Sequence, residues 1–302
     1  MTQIKPLALH EYAPLINLFQ GFSVPGAVTL SPSDRHEIVK TALNFLQSEQ
    51  PGQVFQPLSS YEDQRRLLKL LLTIRPPAPL PVELARQLDL LLSWETLQKH
   101  PVELENIPNQ PFPDPSIETH WSLWQGDITR LKVDAIVNAA NPAMLGCFQP
   151  FHTCIDNAIH SAAGPAVRED CYTIMQLQGR DEKAGGVKIT RSYNLASRYI
   201  LHTVGPIVKN GQVSDRDGRE LAICYHSCLD LAGQIKDIQS IAFCCISTGV
   251  YGFPNLPAAR VAIQAVFSWL RNNPKRFSMI VFNVFSDWDF EIYKQELNIQ
   301  EV

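Results

Sequence analysis

The sequence predicts an α/β protein: a three-layer α/β/α sandwich around a mixed or mostly parallel central sheet, preceded by an all-helical N-terminal extension. Three observations predict it. From about residue 116 onward, short apolar runs alternate with amphipathic stretches, the pattern of βα units. Before that point the chain is rich in leucine, punctuated by proline and nearly free of strand-like alternation. Between the two, Ile107 to Pro115 carries Pro108, Pro111, Pro113 and Pro115, has no period and cannot donate a regular set of hydrogen bonds. This boundary divides the chain into a helical region, 1–115, and an α/β region, 116–302.

In the helical region, Ser33 or Asp34 is placed to cap a helix reaching Leu46, because Ile38, Ala42, Leu43 and Leu46 fall on one face. Ser59 or Ser60 caps a second, with Leu67, Leu68, Leu70, Leu71 and Leu72 as its buried side. Pro76, Pro77, Pro79 and Pro81 stop it, and Pro81 suits the first position of a third helix ending near His100. In the α/β region the expected strands are Ser122 to Trp124, Ala135 to Asn138, Val187 to Ser192, Tyr199 to Thr203, Ser240 to Ile246 and Ser278 to Phe285. The expected helices are Cys154 to Ala163, Ala166 to Leu177, Arg219 to Ala232, Leu256 to Asn272 and Asp287 to Leu297. No internal repeat, heptad array or low-complexity tract is visible.

Composition narrows the function. Charged residues at 19% and hydrophobic residues at 45% describe an ordinary globular chain, long enough at 302 residues for two units. The net charge of −4 argues against nucleic-acid binding through bulk electrostatics, so a small molecule or another protein is the expected partner. The longest apolar runs, such as Leu88 to Leu92 and Ile241 to Ile246, are far too short to span a bilayer. Seven cysteines, and no basic segment leading into an apolar core within the first thirty residues, point to a reducing, cytoplasmic setting where thiols are free or hold metal.

Chemistry concentrates between Trp124 and Pro165. There Cys147, His152 and Cys154 stand in the order C-x4-H-x-C between a turn and a helix start. Thiolates and imidazole are preferred zinc ligands, and three of them leave a fourth position open, as a catalytic zinc needs. Two other readings fit the same spacing. The cysteines can be small buried hydrophobes beside a loop histidine, or part of a structural site completed by Cys171, Cys244 or Cys245. Just upstream, Asn138, Ala139, Ala140 and Asn141 follow a strand and precede Pro142 and Gly146, a sharp turn where two amides can reach a ligand. Far downstream, Ser247-Thr248-Gly249-Val250-Tyr251-Gly252-Phe253 follows an apolar strand and precedes a helix, a loop whose N–H groups can cradle phosphates. Together the two loops imply a pyrophosphate held between them.

At this point the residues resemble the macrodomain family. The match runs over Gly126-Asp127-Ile128-Thr129, Val133-Asp134-Ala135-Ile136-Val137-Asn138-Ala139-Ala140-Asn141, Ile155-Asp156-Asn157-Ala158-Ile159-His160 with Ala162-Ala163-Gly164-Pro165, Tyr199-Ile200-Leu201-His202-Thr203-Val204-Gly205-Pro206, and Ile246 through Pro254. These motifs stand in the family's order and cover roughly residues 121 to 300. One stretch departs from the commonest hydrolytic pattern: a run of glycines is replaced by Gly146-Cys147-Phe148-Gln149-Pro150-Phe151-His152-Thr153-Cys154. That loop looks like the zinc-dependent subclass, which the resemblance marks as protein-ADP-ribose hydrolases with a helical N-terminal extension.

The resemblance implies a role for each residue. Asp127 would accept a hydrogen bond from the adenine amino group beside the Ile128 backbone, with a turn-capping carboxylate as the lesser alternative. Asn141 would bind the distal ribose. Ser247, Thr248, Gly249, Val250 and Tyr251 would wrap the pyrophosphate and ribose, and Phe253 would form an apolar wall. Cys147, His152 and Cys154 would hold Zn2+. Asp156 would position or activate water, or merely complement its helix dipole. His160 and His202 read as structural histidines. The implied partners are ADP-ribose and a mono-ADP-ribosylated protein, with linkage through an acidic side chain. Two alternatives remain from the sequence: a module that binds ADP-ribose without cleaving it, and a deacylase of O-acetyl-ADP-ribose.

Overall fold

The apolar runs expected as strands assemble into one sheet in the computed structural model, which describes residues 6–21, 29–50, 52–53 and 56–298. The helical region gives α1 (Leu9–Tyr12), α2 (Pro32–Ser48), α3 (Tyr61–Ile74) and α4 (Val82–Gln98). Then come β1 (Val102–Glu103), β2 (Gln110–Pro111), β3 (His120–Gln125), β4 (Leu131–Lys132), β5 (Ala135–Ala140), α5 (Ile155–Ala163) and α6 (Pro165–Gln178). The chain finishes with β6 (Val187–Arg191), β7 (Tyr199–Val204), α7 (Asp215–Gly233), β8 (Ser240–Phe243), α8 (Asn255–Asn272), β9 (Met279–Val284) and α9 (Asp287–Glu296).

The main sheet has seven strands in the order β2-β3-β9-β8-β5-β7-β6. The five inner strands are parallel, while β2 and β6 close the two edges in antiparallel fashion, so the sheet is mixed as expected. Inner parallel strands are covered on both faces and read as continuous apolar runs. In β7, His202 points at Cys171 of α6 and the next residue, Thr203, at Cys224 of α7, so successive side chains reach opposite helical layers.

Two apolar cores result. The larger lies on both faces of the sheet, and it also takes in Tyr12, Ala13, Ile16 and Leu18 from the N-terminal region and Ile107 and Phe112 from the proline-rich segment. The smaller joins α2, α3 and α4 through Ile38, Ala42, Leu43, Leu46, Leu68, Leu71, Leu88 and Leu91. Of the leucines expected on the buried side of α3, Leu68 and Leu71 are fully buried, while Leu67, Leu70 and Leu72 are half-buried at the rim.

Helix starts differ from the expected ones for local reasons. α2 is capped by Ser31, not by Ser33 or Asp34, because Pro32 takes the first helical position. Ser31 Oγ accepts from the Asp34 N–H, and the Asp34 carboxylate accepts from the Ser31 N–H, a reciprocal capping box. Ser60 caps α3 by accepting from the Asp63 N–H. Pro81 is the cap of α4 rather than its first residue. β2 falls inside the proline-rich segment, where an edge strand tolerates Pro111 because one side of it needs no ladder bond. β8 stops at Phe243, so Cys244 to Ile246 leave the ladder three residues earlier than the apolar run implies.

Candidate active site

β5 pairs with β7 over six positions but with β8 over only two, Ala135 with Ile241 and Ile136 with Ala242. The far end of β5 therefore lacks a neighbour on one side, and a crevice opens at the C-terminal ends of the parallel strands, where open α/β sheets hold their ligands. It is a cavity of about 670 Å³, lined by Asn141, Cys147, His152, Cys154, Asp156, Ser247, Thr248, Gly249, Val250 and Tyr251 among others. That volume suits a ligand of nucleotide size.

Asp156 lies in the first turn of α5, with 5% of its surface exposed. Two amides fix its carboxylate: Asn138 Nδ2 donates to Oδ1 at 2.8 Å and Asn141 Nδ2 to Oδ2 at 3.3 Å. Burial pushes its carboxyl up to about 6, against the lowering effects of the Asn138 bond and the Arg168 charge. Asn141 Nδ2 also donates to the Gly146 carbonyl at 2.9 Å, tying the turn after β5 to the loop that follows. Beneath them, Asn138 Nδ2 donates to His202 Nδ1 at 3.1 Å, which leaves Nε2 as the protonated nitrogen facing Thr190 Oγ1 at 2.9 Å. His202 is fully buried, and burial drives its pKa down to about 3, so the ring is neutral. His160 Nε2 lies 3.5 Å from Asp156 Oδ1, and neither of its ring nitrogens makes a hydrogen bond. Burial, with the positive charge of Arg168 nearby, holds it well below the ordinary histidine value.

The loop from Leu145 to Cys154 curls because Gly146 and Phe151 adopt positive φ, as does Met144 just before it. Its donors Cys147, His152 and Cys154 are half-buried, and their ligand atoms all lie within 4.8 Å of one another. Cys147 Sγ is 3.6 Å from His152 Nδ1. Zinc bonds of about 2.3 Å to sulfur and about 2.0 Å to nitrogen at the tetrahedral angle put neighbouring donors about 3.5 Å apart, so the residues fit the ion. Backbone N–H groups of Gln149 and Asn157 point at the two sulfurs, Cys147 Sγ and Cys154 Sγ, each at 3.4 Å. Burial, joined by the Cys147 and Asp156 charges, pushes the Cys154 thiol up to about 11, a shift that a coordinated cation reverses. The alternative completion by Cys171, Cys244 or Cys245 is not the grouping the fold makes. Cys171 instead belongs to a second, fully buried trio with His160 and His202.

On the opposite wall, Ser247 has φ +67° and is 5% exposed, with a buried hydroxyl that lacks a hydrogen-bond partner. Gly205 at the end of β7 makes room for it, since a Cβ there would sit 1.9 Å from Ser247 Oγ. The loop closes on itself through Phe253 N–H to Ser247 O and Gly252 N–H to Gly249 O, both 3.0 Å. Among the described residues, no acceptor takes the N–H groups of Thr248, Gly249 or Val250. Such a row of free amides is suited to an anion.

Comparison with known proteins decides what this crevice belongs to. The family model described as Macro domain matches residues 137–262. A protein of Staphylococcus aureus (strain COL) named protein-ADP-ribose hydrolase is 45% identical over 240 residues, covering 80% of this chain and 87% of its own. One of Treponema medium with the same name is 44% identical over 258 residues, covering 84% and 95%. The chain belongs to the macrodomain family.

Solved macrodomains agree in fold. That of Trypanosoma brucei, in complex with ADP-ribose, superposes with a TM-score of 0.58 at 30% identity, covering 80% of this chain and 97% of that one. That of Oceanobacillus iheyensis, with ADP, gives 0.56 at 36% identity over 64% and 96%.

Within this macrodomain, three of the expected ligand residues stand apart from the cavity lining. Ile128 and Phe253 are 1% exposed and belong to the large core. Asp127 caps the turn that follows it, its Oδ1 accepting from Thr129 N–H and Oγ1, while Oδ2 meets Lys99 Nζ at 3.3 Å. Burial raises the Asp127 carboxyl, but Thr129 and Lys99 outweigh it and hold it below the usual range. Conversely, the macrodomain cavity is lined by Phe285, Asn283 and Asp289, which the motif reading missed. Phe285 is 78% exposed directly after β9. An aromatic side chain placed at the C-terminal end of an inner strand is the signal that marks it.

Proposed function

We propose that this macrodomain is a cytoplasmic, zinc-dependent hydrolase that removes mono-ADP-ribose from acidic side chains of modified proteins. The observation that carries the reading is the shared cavity: three zinc-type donors, an amide-held carboxylate and an anion-suited loop line one crevice. Names of the relatives and the ADP-ribose complex of a solved macrodomain support it. A module that only binds ADP-ribose has no use for a metal with an open position.

In this reading the pyrophosphate lies along the N–H groups of Thr248, Gly249 and Val250, with Phe285 at the lip of the cavity. The reacting bond joins the anomeric carbon to a carboxylate oxygen of the modified residue. Water supplies the oxygen that replaces it, leaving ADP-ribose and a free carboxyl. Asp156 aligns that water and accepts its proton; a carboxylate tuned to about 6 is ionised at neutral pH yet more basic than a surface one. Asn138 and Asn141 hold the carboxylate in place while the charge changes. Zinc, when bound by Cys147, His152 and Cys154, supplies a Lewis acid that orients the distal ribose. Seven free thiols fit a reducing compartment, and no described helix is long and apolar enough to cross a membrane.

The test incubates zinc-loaded protein with substrates mono-ADP-ribosylated through acidic, serine or arginine side chains and follows release. Release is expected from the acidic linkage. Binding without release from any linkage would establish a reader, and hydrolysis confined to O-acetyl-ADP-ribose would establish a deacylase.

A further inference from the structure

Arg168, on the buried face of α6, has only 8% of its surface exposed. All its hydrogen bonds go to backbone carbonyls. Nε donates to Leu145 O at 2.8 Å, and Nη1 to Leu72 O at 3.0 Å, Thr73 O at 3.0 Å and Arg75 O at 2.7 Å. Leu72 and Thr73 lie in the last turn of α3, and Arg75 is its cap. Leu145 opens the loop that carries Cys147, His152 and Cys154.

This arrangement answers two needs at once. The last carbonyls of a helix have no partner within it, and a cation at that end meets the negative pole of the helix dipole. The planar guanidinium satisfies those carbonyls with one edge and presents its face to an aromatic ring. That ring is Phe148 of the donor loop, with the guanidinium carbon 4.4 Å from its centroid. A second contact has the same form: Arg66 of α3 stands 4.7 Å over Phe151, the other aromatic of the loop. Phe148 and Phe151 are each about two-fifths exposed, so neither is held by burial in a core. The donor loop is therefore held from the front by Asn141 and Asn157 and from behind by α3 and α6.

We propose that Arg168 is a positioning residue through which the N-terminal helical layer sets the geometry of the metal-donor loop. The proposal rests on reading that loop as part of the active site. It gives the extension a role: its third helix ends against the back of the loop, and Arg168 transmits the position of that end to Cys147.

The test compares wild-type protein with Arg168→Lys and Arg168→Ala by hydrogen exchange of the 146–154 amides in metal-free protein, by zinc release to a chromogenic chelator, and by kcat and KM. Lysine keeps the charge but lacks the fork and the planar face. Loop amides and zinc release are each expected to quicken about tenfold in Arg168→Lys, the scale of lost outer support at a metal site. Amides of α7 and α8 should be unchanged, and kcat should fall more than KM rises. Phe148→Leu, which removes the stack and spares the carbonyl bonds, should move the same readouts less and keeps the proposal testable if Arg168→Ala fails to fold. Loop exchange and zinc release within twofold of wild type in a folded Arg168→Lys protein would overturn it. Should wild-type protein hold no zinc, the metal reading fails by itself, and loop exchange still decides the role of Arg168.

Discussion

Two trios of metal-type side chains flank Asp156, and they are built for different ends. Cys147, His152 and Cys154 are half-buried, line the cavity and sit on a loop. His160, Cys171 and His202 also have their ligand atoms within 4.8 Å of one another but are wholly buried on α5, α6 and β7. Both nitrogens of His202 are already committed, one to Asn138 and one to Thr190, so it has no lone pair left for an ion. Residue type and proximity alone do not make a metal centre. Access and uncommitted lone pairs do, and only the loop trio has both.

The comparison breaks most visibly through metal content. Cys147→Ala or His152→Ala should abolish stoichiometric zinc and lower ADP-ribose release at least about a hundredfold. Cys171→Ala should keep zinc and activity while losing about 1–2 kcal/mol of stability for the volume removed. Metal analysis beside a release assay checks both, and equal zinc loss in Cys171→Ala would erase the distinction.

Titration sharpens the contrast from the buried side. His202 has its folded pKa depressed to about 3, whereas an unfolded histidine takes up its proton near 6.5. Below about pH 6.5 the unfolded chain therefore binds the extra proton, and stability is lost as pH falls from there toward 3. Relative to His202→Gln, wild type should lose about 3 kcal/mol between pH 7.5 and 4.5, at about 1.4 kcal/mol per unit. Asp156, shifted up to about 6, has the opposite slope, but it is present in both chains and cancels in the difference. Denaturant unfolding at the two pH values measures it, and parallel curves would mean that His202 is protonated in the folded state.

Smaller effects belong to the groups around the loop trio. Asn141→Ala should lower turnover about tenfold or more while shifting stability by only about 1 kcal/mol, because it frees one Asp156 oxygen and the Gly146 carbonyl. Steady-state kinetics beside a thermal melt separates the two. Phe285→Ala should weaken ADP-ribose binding about fivefold, near 1 kcal/mol for one lost stacking face, with zinc content intact. Calorimetric titration with ADP-ribose reads it directly.

How much of this was legible depends on the range of the interaction. Periodicity located each inner strand and each long helix of the α/β region, since those patterns record burial one residue at a time. It missed α1 and β2, too short to show a period, and it read Cys244 to Ile246 as strand because an apolar run does not reveal where pairing stops. The fold brings the donors and both loops expected from the motifs to one cavity, and it places Phe253, expected as an apolar wall, in the core. Phe285 was hidden as the last residue of an apolar strand. Arg168 was invisible for a different reason: its partners are main-chain carbonyls about ninety residues away, and no side-chain pattern encodes them.

Gly146 joins the two trios. Its φ is +78°, and a Cβ on it would fall 2.8 Å from the His160 ring. The donor loop thus rests on a buried histidine with a single hydrogen's clearance. Anyone grafting this loop onto another scaffold would need to carry the floor with it, since the portable unit is Gly146 through His160 rather than the three donors alone.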